Sequence, residues 1–139
     1  MADVLLTVAQ VEPIFPLQAE IYTQIAASAV AKGEVVYMTT AGTVAPADAN
    51  DSGLEQARGI ALNAAGAGGA VSVLKRGHVA GYTVAALNAS APLYLSNTVG
   101  DLSTTAGTMT VPCGIVVCLP DKDATKVFYA DFRWGPDWT

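Results

Sequence analysis

Apolar residues in this chain come in short runs cut at close intervals by Gly, Pro, Asn and Asp. Such punctuation predicts short β-strands joined by turns. Lys32-Gly33 turns into Glu34-Val-Val-Tyr-Met38, and Thr39-Thr-Ala-Gly42 turns again into Thr43-Val44. The stretch from Arg58 to Gly81 holds the runs Gly59-Ile-Ala-Leu62 and Val71-Ser-Val-Leu74, separated by Asn63 and a series of Ala and Gly. A third run, His78 to Tyr82, follows the break at Arg76-Gly77. Near the end, Phe128, Ala130 and Phe132 alternate with Tyr129, Asp131 and Arg133, the mark of a strand with one buried face. The fold class expected is all-β and mainly antiparallel, a small barrel or sandwich-like domain over residues 19–139.

Two segments resist a single pattern. Over Ala19–Ala31, Ile21, Ile25 and Ala29 suit a helical stripe, while Ile21, Thr23 and Ile25 suit alternation. A short helix is compatible with the Ala-rich end. Tyr22, Thr23 and the two Ile favour a strand ending near Ala27. Residues 1–18 have no clean period, and Pro13 and Pro16 impose an extended path. Their apolar side chains leave two readings open: an edge strand crossing the domain, or an extended N-terminal arm that buries Leu5, Val8, Val11, Ile14 and Phe15 on a partner. Trp134 and Trp138 pose the same choice at the other end, between capping the domain and anchoring a subunit contact.

The chain also echoes itself. Val35-Val-Tyr37 precedes Gly59-Ile-Ala-Leu, and Pro92-Leu-Tyr94 precedes Gly114-Ile-Val-Val. Tyr to Gly spans 22 residues in the first case and 20 in the second. A strand–turn–strand–loop–strand unit used twice, over 33–63 and 90–118, would give an internal pseudo-repeat.

Composition narrows the function. At 139 residues the chain suits one domain with a usable core. Hydrophobic content of 52% includes 25 Ala, and the longest apolar runs are broken by Pro and Gly, so a membrane span is not expected. Met-Ala-Asp-Val-Leu-Leu lacks the basic start of a signal peptide, and synthesis in a cytoplasm is the expectation. Net charge is −5 with seven scattered Lys and Arg, which argues against direct nucleic-acid binding. Cys113 and Cys118, five residues apart on one strand, would face opposite ways and lie too far apart for a disulfide. They read as small apolar core residues.

Candidate chemistry is thin. Gly66, Gly68 and Gly69 lead into the β-branched run Val71-Ser-Val rather than a helix, which rules out a dinucleotide or phosphate loop. Asp48-Ala-Asn-Asp-Ser-Gly53 matches the first half of a calcium loop, but the twelfth position is Gly59 instead of Glu. A solvated turn is the better reading. His78, the single histidine, reads as a strand residue, and Asp121 and Asp123 sit in a turn composition, Pro-Asp-Lys-Asp. No catalytic residue, cofactor or metal ligand is expected.

The order of these runs resembles the small head-decoration (capsid cement) proteins of tailed bacteriophages. The likeness rests on Gly33-Glu-Val-Val-Tyr37, Gly42-Thr-Val, Pro46-Ala-Asp-Ala49, Gly59-Ile-Ala-Leu-Asn63, Gly77-His-Val-Ala-Gly81, Pro92-Leu-Tyr-Leu95, Gly100-Asp-Leu-Ser103 and Gly114-Ile-Val116. It implies a β-rich homotrimer, made in the host bacterial cytoplasm, that binds the outer surface of the assembled head at three-fold or quasi-three-fold sites and clamps the major capsid protein. No active site or cofactor is implied. The rival readings are another virion β module (a head fibre base, or a tail or adhesin domain) that binds carbohydrate or a structural partner, and a small β-barrel enzyme built on His78 or a carboxylate pair.

Overall fold

Among the described residues, 3–135 in the computed structural model, nine strands form one antiparallel sheet curled into an open half-barrel. The strands are β1 (Glu20–Ile25), β2 (Val35–Met38), β3 (Val44–Pro46), β4 (Ala57–Ala61), β5 (Ala70–Val79), β6 (Pro92–Leu95), β7 (Leu102–Ser103), β8 (Pro112–Cys118) and β9 (Lys126–Asp131). Their order is β3-β2-β4-β5-β9-β8-β6-β7, and β1 pairs with β5. The all-β, mainly antiparallel class expected from the turn punctuation is the fold of the chain.

Read from its centre, that order is the same path walked twice. The β3-β2-β4-β5 half and the β7-β6-β8-β9 half share connectivity, and β5 meets β9 in the middle. Their registers match residue for residue. In the first half Val35 pairs with Ile60, Val36 with Gly59 and Tyr37 with Ala57; in the second Pro92 pairs with Ile115, Leu93 with Gly114 and Tyr94 with Pro112. Both ladders are irregular at the same step, just before the Tyr. The next rung repeats too, with Ile60↔Leu74 and Ala61↔Val73 answered by Ile115↔Tyr129 and Val116↔Phe128.

Gly59 and Gly114 explain why these rungs keep a glycine. A Cβ on Gly59 would collide with Val73 and the backbone of Leu74, and one on Gly114 with the carbonyl of Tyr129. Each glycine is the point where a strand crosses its neighbour too closely for any side chain.

Two details differ from the sequence expectation, and one open choice, strand or helix over residues 19–31, falls to the favoured strand. The break at Arg76-Gly77 does not end a strand: β5 runs through it for ten residues. Gly77, with φ +146°, bends the strand so that its first part pairs with β1 and β4 and its last part with β9. Over residues 19–31 the β-branched and aromatic residues prevail, giving β1 and no helix in that segment. Of the two cysteines, Cys113 is buried while Cys118 is exposed, so only one serves the core.

The N-terminal segment departs furthest from a free arm. Residues 3–14 lie along the domain as a strap, with single-turn 3-10 helices at Val8–Gln10 and, just beyond, Pro16–Gln18. The Val4 N–H donates to Leu102 O at 2.8 Å, Thr83 N–H to Leu5 O at 2.8 Å, and Ile14 N–H to His78 O at 2.9 Å. The strap thus runs from β7 to the end of β5, and Val4 and Val11 enter the core.

Candidate partner-binding face

The two halves bury their outer sides differently. In the first half the inner residues Val36, Val44, Ala61, Val71 and Val73 form a small core closed by Ala26 and Val30. Their partners on the outer side, Val35, Ile60 and Leu74, belong to the main core. They share it with Leu93, Leu102, Val116 and Phe128, the inner residues of the second half. The second half's own outer residues at the corresponding rungs are Pro92, Ile115 and Tyr129, of which Pro92 and Ile115 are exposed and Tyr129 is half-buried against His78. Ile115 is 38% exposed, whereas Ile60 is fully buried. Apolar side chains survive at positions that water reaches, and that is the informative observation.

These residues line a groove of about 320 Å³ bounded by Pro92, Pro112, Gly114, Ile115, Tyr129 and the pair Asp131 and Arg133. An aromatic row extends the face: Tyr129 packs edge-on against His78, and His78 against Phe15, each with ring centres 5.0 Å apart. At the border, Arg76 Nε donates to Asp131 Oδ1 at 2.9 Å, and Glu20 Oε2 lies 4.0 Å from Arg76. The Asp131 hydrogen bond and charge, then the charge of Glu20, hold the Arg76 pKa above its ordinary value. The face is therefore apolar in the middle and charge-balanced at one edge, a layout typical of protein contacts.

The residues singled out from sequence scatter around this face. Val11 is buried within the domain's own core and offers nothing to a partner. Leu5 and Val8 point out from the strap, at 74% and 50% exposure. Ile14 is half-buried beside β5, and Phe15 is half-buried in the aromatic row. Trp134 donates from Nε1 to Arg58 O at 2.6 Å, stacks on Tyr22 and lies under Lys75, so it seals the end of the first half. Trp138 lies outside the described residues. Sequence reasoning missed Pro92, Ile115 and Tyr129. The available signal was that Pro92-Leu-Tyr-Leu95 and Gly114-Ile-Val116 are apolar at both alternating positions.

Polar candidates are tied into the fold. His78 sits between two rings. The Asp48 carboxylate accepts from Asn50 N–H at 2.8 Å, closing its own turn. Asp121 accepts from the Thr125 N–H and hydroxyl at 3.0 and 2.8 Å, which keeps its carboxyl below the usual range. The Gly-rich segment 64–69 is the hairpin loop between β4 and β5, pinned by Asn63, which bonds Ala70 O and Ser72 N–H. A second, more polar hollow of about 390 Å³ near Tyr37, Thr40 and Gln56 includes Arg58 and Glu55. Arg58 donates to Arg133 O, and Glu55 accepts from Gly53 N–H. Among the described residues, no group of three His, Cys, Asp or Glu could hold a metal ion. No family model, no curated protein and no solved structure matches this chain.

Proposed function

We propose that this chain is a structural binding module: a decoration protein that docks on the outer surface of an assembled phage head and stabilises it, acting as a homotrimer with the major capsid protein as its partner. The observation that carries this reading is the open apolar face of β6, β8 and β9, set on a body whose polar side chains serve turns and strand ends. Its chemistry suits contact with a protein rather than turnover of a substrate. A partner bound only in the assembled lattice would stabilise that lattice by mass action, and linked copies would add avidity.

The test is co-sedimentation of the purified protein with expanded capsids that lack it. The expected result is saturable binding and a higher capsid disruption temperature. Failure to bind any capsid lattice, together with specific glycan binding, would replace this reading with that of a carbohydrate-binding virion module.

A further inference from the structure

The two halves also differ at the polar hollow beside β2 and β4. Counting back from Gly59 and Gly114, which hold the same rung, Arg58, Gln56 and Gly53 correspond to Cys113, Val111 and Thr108. Counting on from Tyr37 and Tyr94, Thr40 corresponds to Asn97. In the second half these positions are closed. Asn97 accepts from Thr108 N–H at 2.9 Å and donates to its hydroxyl at 3.1 Å, and Val111 and Cys113 are buried in the main core. In the first half Gly53 has no side chain to offer Thr40, and both line the hollow of about 390 Å³. Gln56, in the place of Val111, is only 7% exposed although it is an amide. Burying an amide gains nothing over burying a valine unless its polar atoms are bonded, so stability alone does not ask for the polar residue.

We infer that this hollow is a binding site for a saccharide ring. A sugar presents hydroxyls that donate and accept around its rim, and C–H faces that prefer an apolar wall. The lining matches both demands: Tyr37 supplies a half-exposed ring, Glu55 accepts, Arg58 donates, and Gln56 and Thr40 can do either. The opposite charges of Glu55 and Arg58 leave no net sign to favour an anion or a cation. Strand β2 lies between β3 and β4, so it has no open edge to which an extended peptide could add as a strand. The volume is near the lower end of the roughly 300–1,000 Å³ usual for small-molecule sites, which suits one ring. The polar groups are also held in advance. Glu55 Oε2 accepts from Gly53 N–H at 2.6 Å, Gln56 Nε2 donates to Glu55 Oε1 at 3.3 Å, and Arg58 donates to Arg133 O at 2.7 Å. Groups fixed before binding lose less freedom when the ligand arrives. The site goes beyond the decoration reading and does not depend on it.

The experiment is saturation-transfer NMR on the full chain with millimolar methyl glycosides of glucose, galactose, mannose, N-acetylglucosamine and N-acetylgalactosamine. At least one glycoside should receive magnetisation. In an amide-shift titration with that glycoside, the changes should concentrate on residues 37–40 and 53–58. Gln56→Val, which installs the residue of the other half, should keep the fold by thermal unfolding and weaken binding about tenfold or more. Glu55→Gln, which keeps the shape and removes the charge, takes its place if Gln56→Val fails to fold, and should weaken binding several-fold. Titration with the matching disaccharide separates two sources of the ring: tighter binding than the glycoside supports a site for a glycan chain, and equal binding supports one for a single residue. No transfer to any glycoside of the panel overturns the inference. So do shifts confined to other parts of the chain, or a folded Gln56→Val variant with unchanged affinity. Capsid co-sedimentation is read separately, so sugar binding and the decoration reading can each fail alone.

Discussion

Ile60 and Ile115 occupy the same rung of two matching ladders, yet one is buried and the other meets water. Around them, Val35 and Leu74 answer to Pro92 and Tyr129. The first trio is interior because the second half packs over it; of the second, Pro92 and Ile115 are exposed and Tyr129 is half-buried. Shared topology therefore does not give shared environment. In a fold built by repeating a unit, the last unit is where an apolar face stays available.

The largest expected effect tests the shared geometry. Gly59→Ala and Gly114→Ala should each cost roughly 3 kcal/mol or more, because backbone atoms of the neighbouring strand block the new methyl and cannot swing aside. Urea unfolding of both variants checks this, and a large loss at one site alone would break the equivalence. The second test separates the two halves. Ile60→Ala should cost about 2–5 kcal/mol as a cavity in the main core, while Ile115→Ala should cost under about 1 kcal/mol in the single chain. Equal costs would mean that the outer face of the second half is covered.

A smaller effect concerns the junction. Tyr82, which follows β5, is buried, and its hydroxyl donates to Gly33 O at 2.6 Å, just before β2. Burial, then the charges of Cys113 and Asp101, pushes its pKa up, so the phenol stays protonated. Tyr82→Phe should cost about 1–2 kcal/mol, read as a lower urea midpoint at unchanged slope.

The smallest is a matter of pH. Burial, and then the charges of Asp3 and Glu34, raises the Asp101 pKa above its ordinary 3.8. The folded chain thus holds that proton more tightly than the unfolded chain. Stability from this group is full below 3.8 and falls as pH rises through the raised value. Asp101→Asn should therefore stabilise the protein at neutral pH, with the gain vanishing as pH drops below 3.8. Thermal melts across that range decide it, and a gain that persists in acid would assign the effect to something other than titration.

Much of the fold was legible because strands and turns write themselves locally. Glycine and proline punctuation located most strands, and the paired Tyr and Gly-Ile echoes fell on corresponding rungs of the two ladders. Long-range geometry was less legible. Nothing local says that Arg76-Gly77 bends a strand instead of ending it, since that depends on β9 arriving at its far end. The apolar residues of the first 18 positions suited a partner as well as they suited this domain. Only the hydrogen bonds to Leu102, Thr83 and His78 assign Val4 and Val11 to the core. The open groove was hardest to see, because its residues are ordinary core types, and their exposure depends on how the two halves pack.

Hydroxyl-radical footprinting with and without expanded capsids tests that groove most directly, by following modification of Ile115 and Tyr129 against Tyr37, which corresponds to Tyr94 in the other half. The account predicts that Ile115 and Tyr129 become protected when capsids are added while Tyr37 does not change. Modification of all three that stays the same with and without capsids would contradict it.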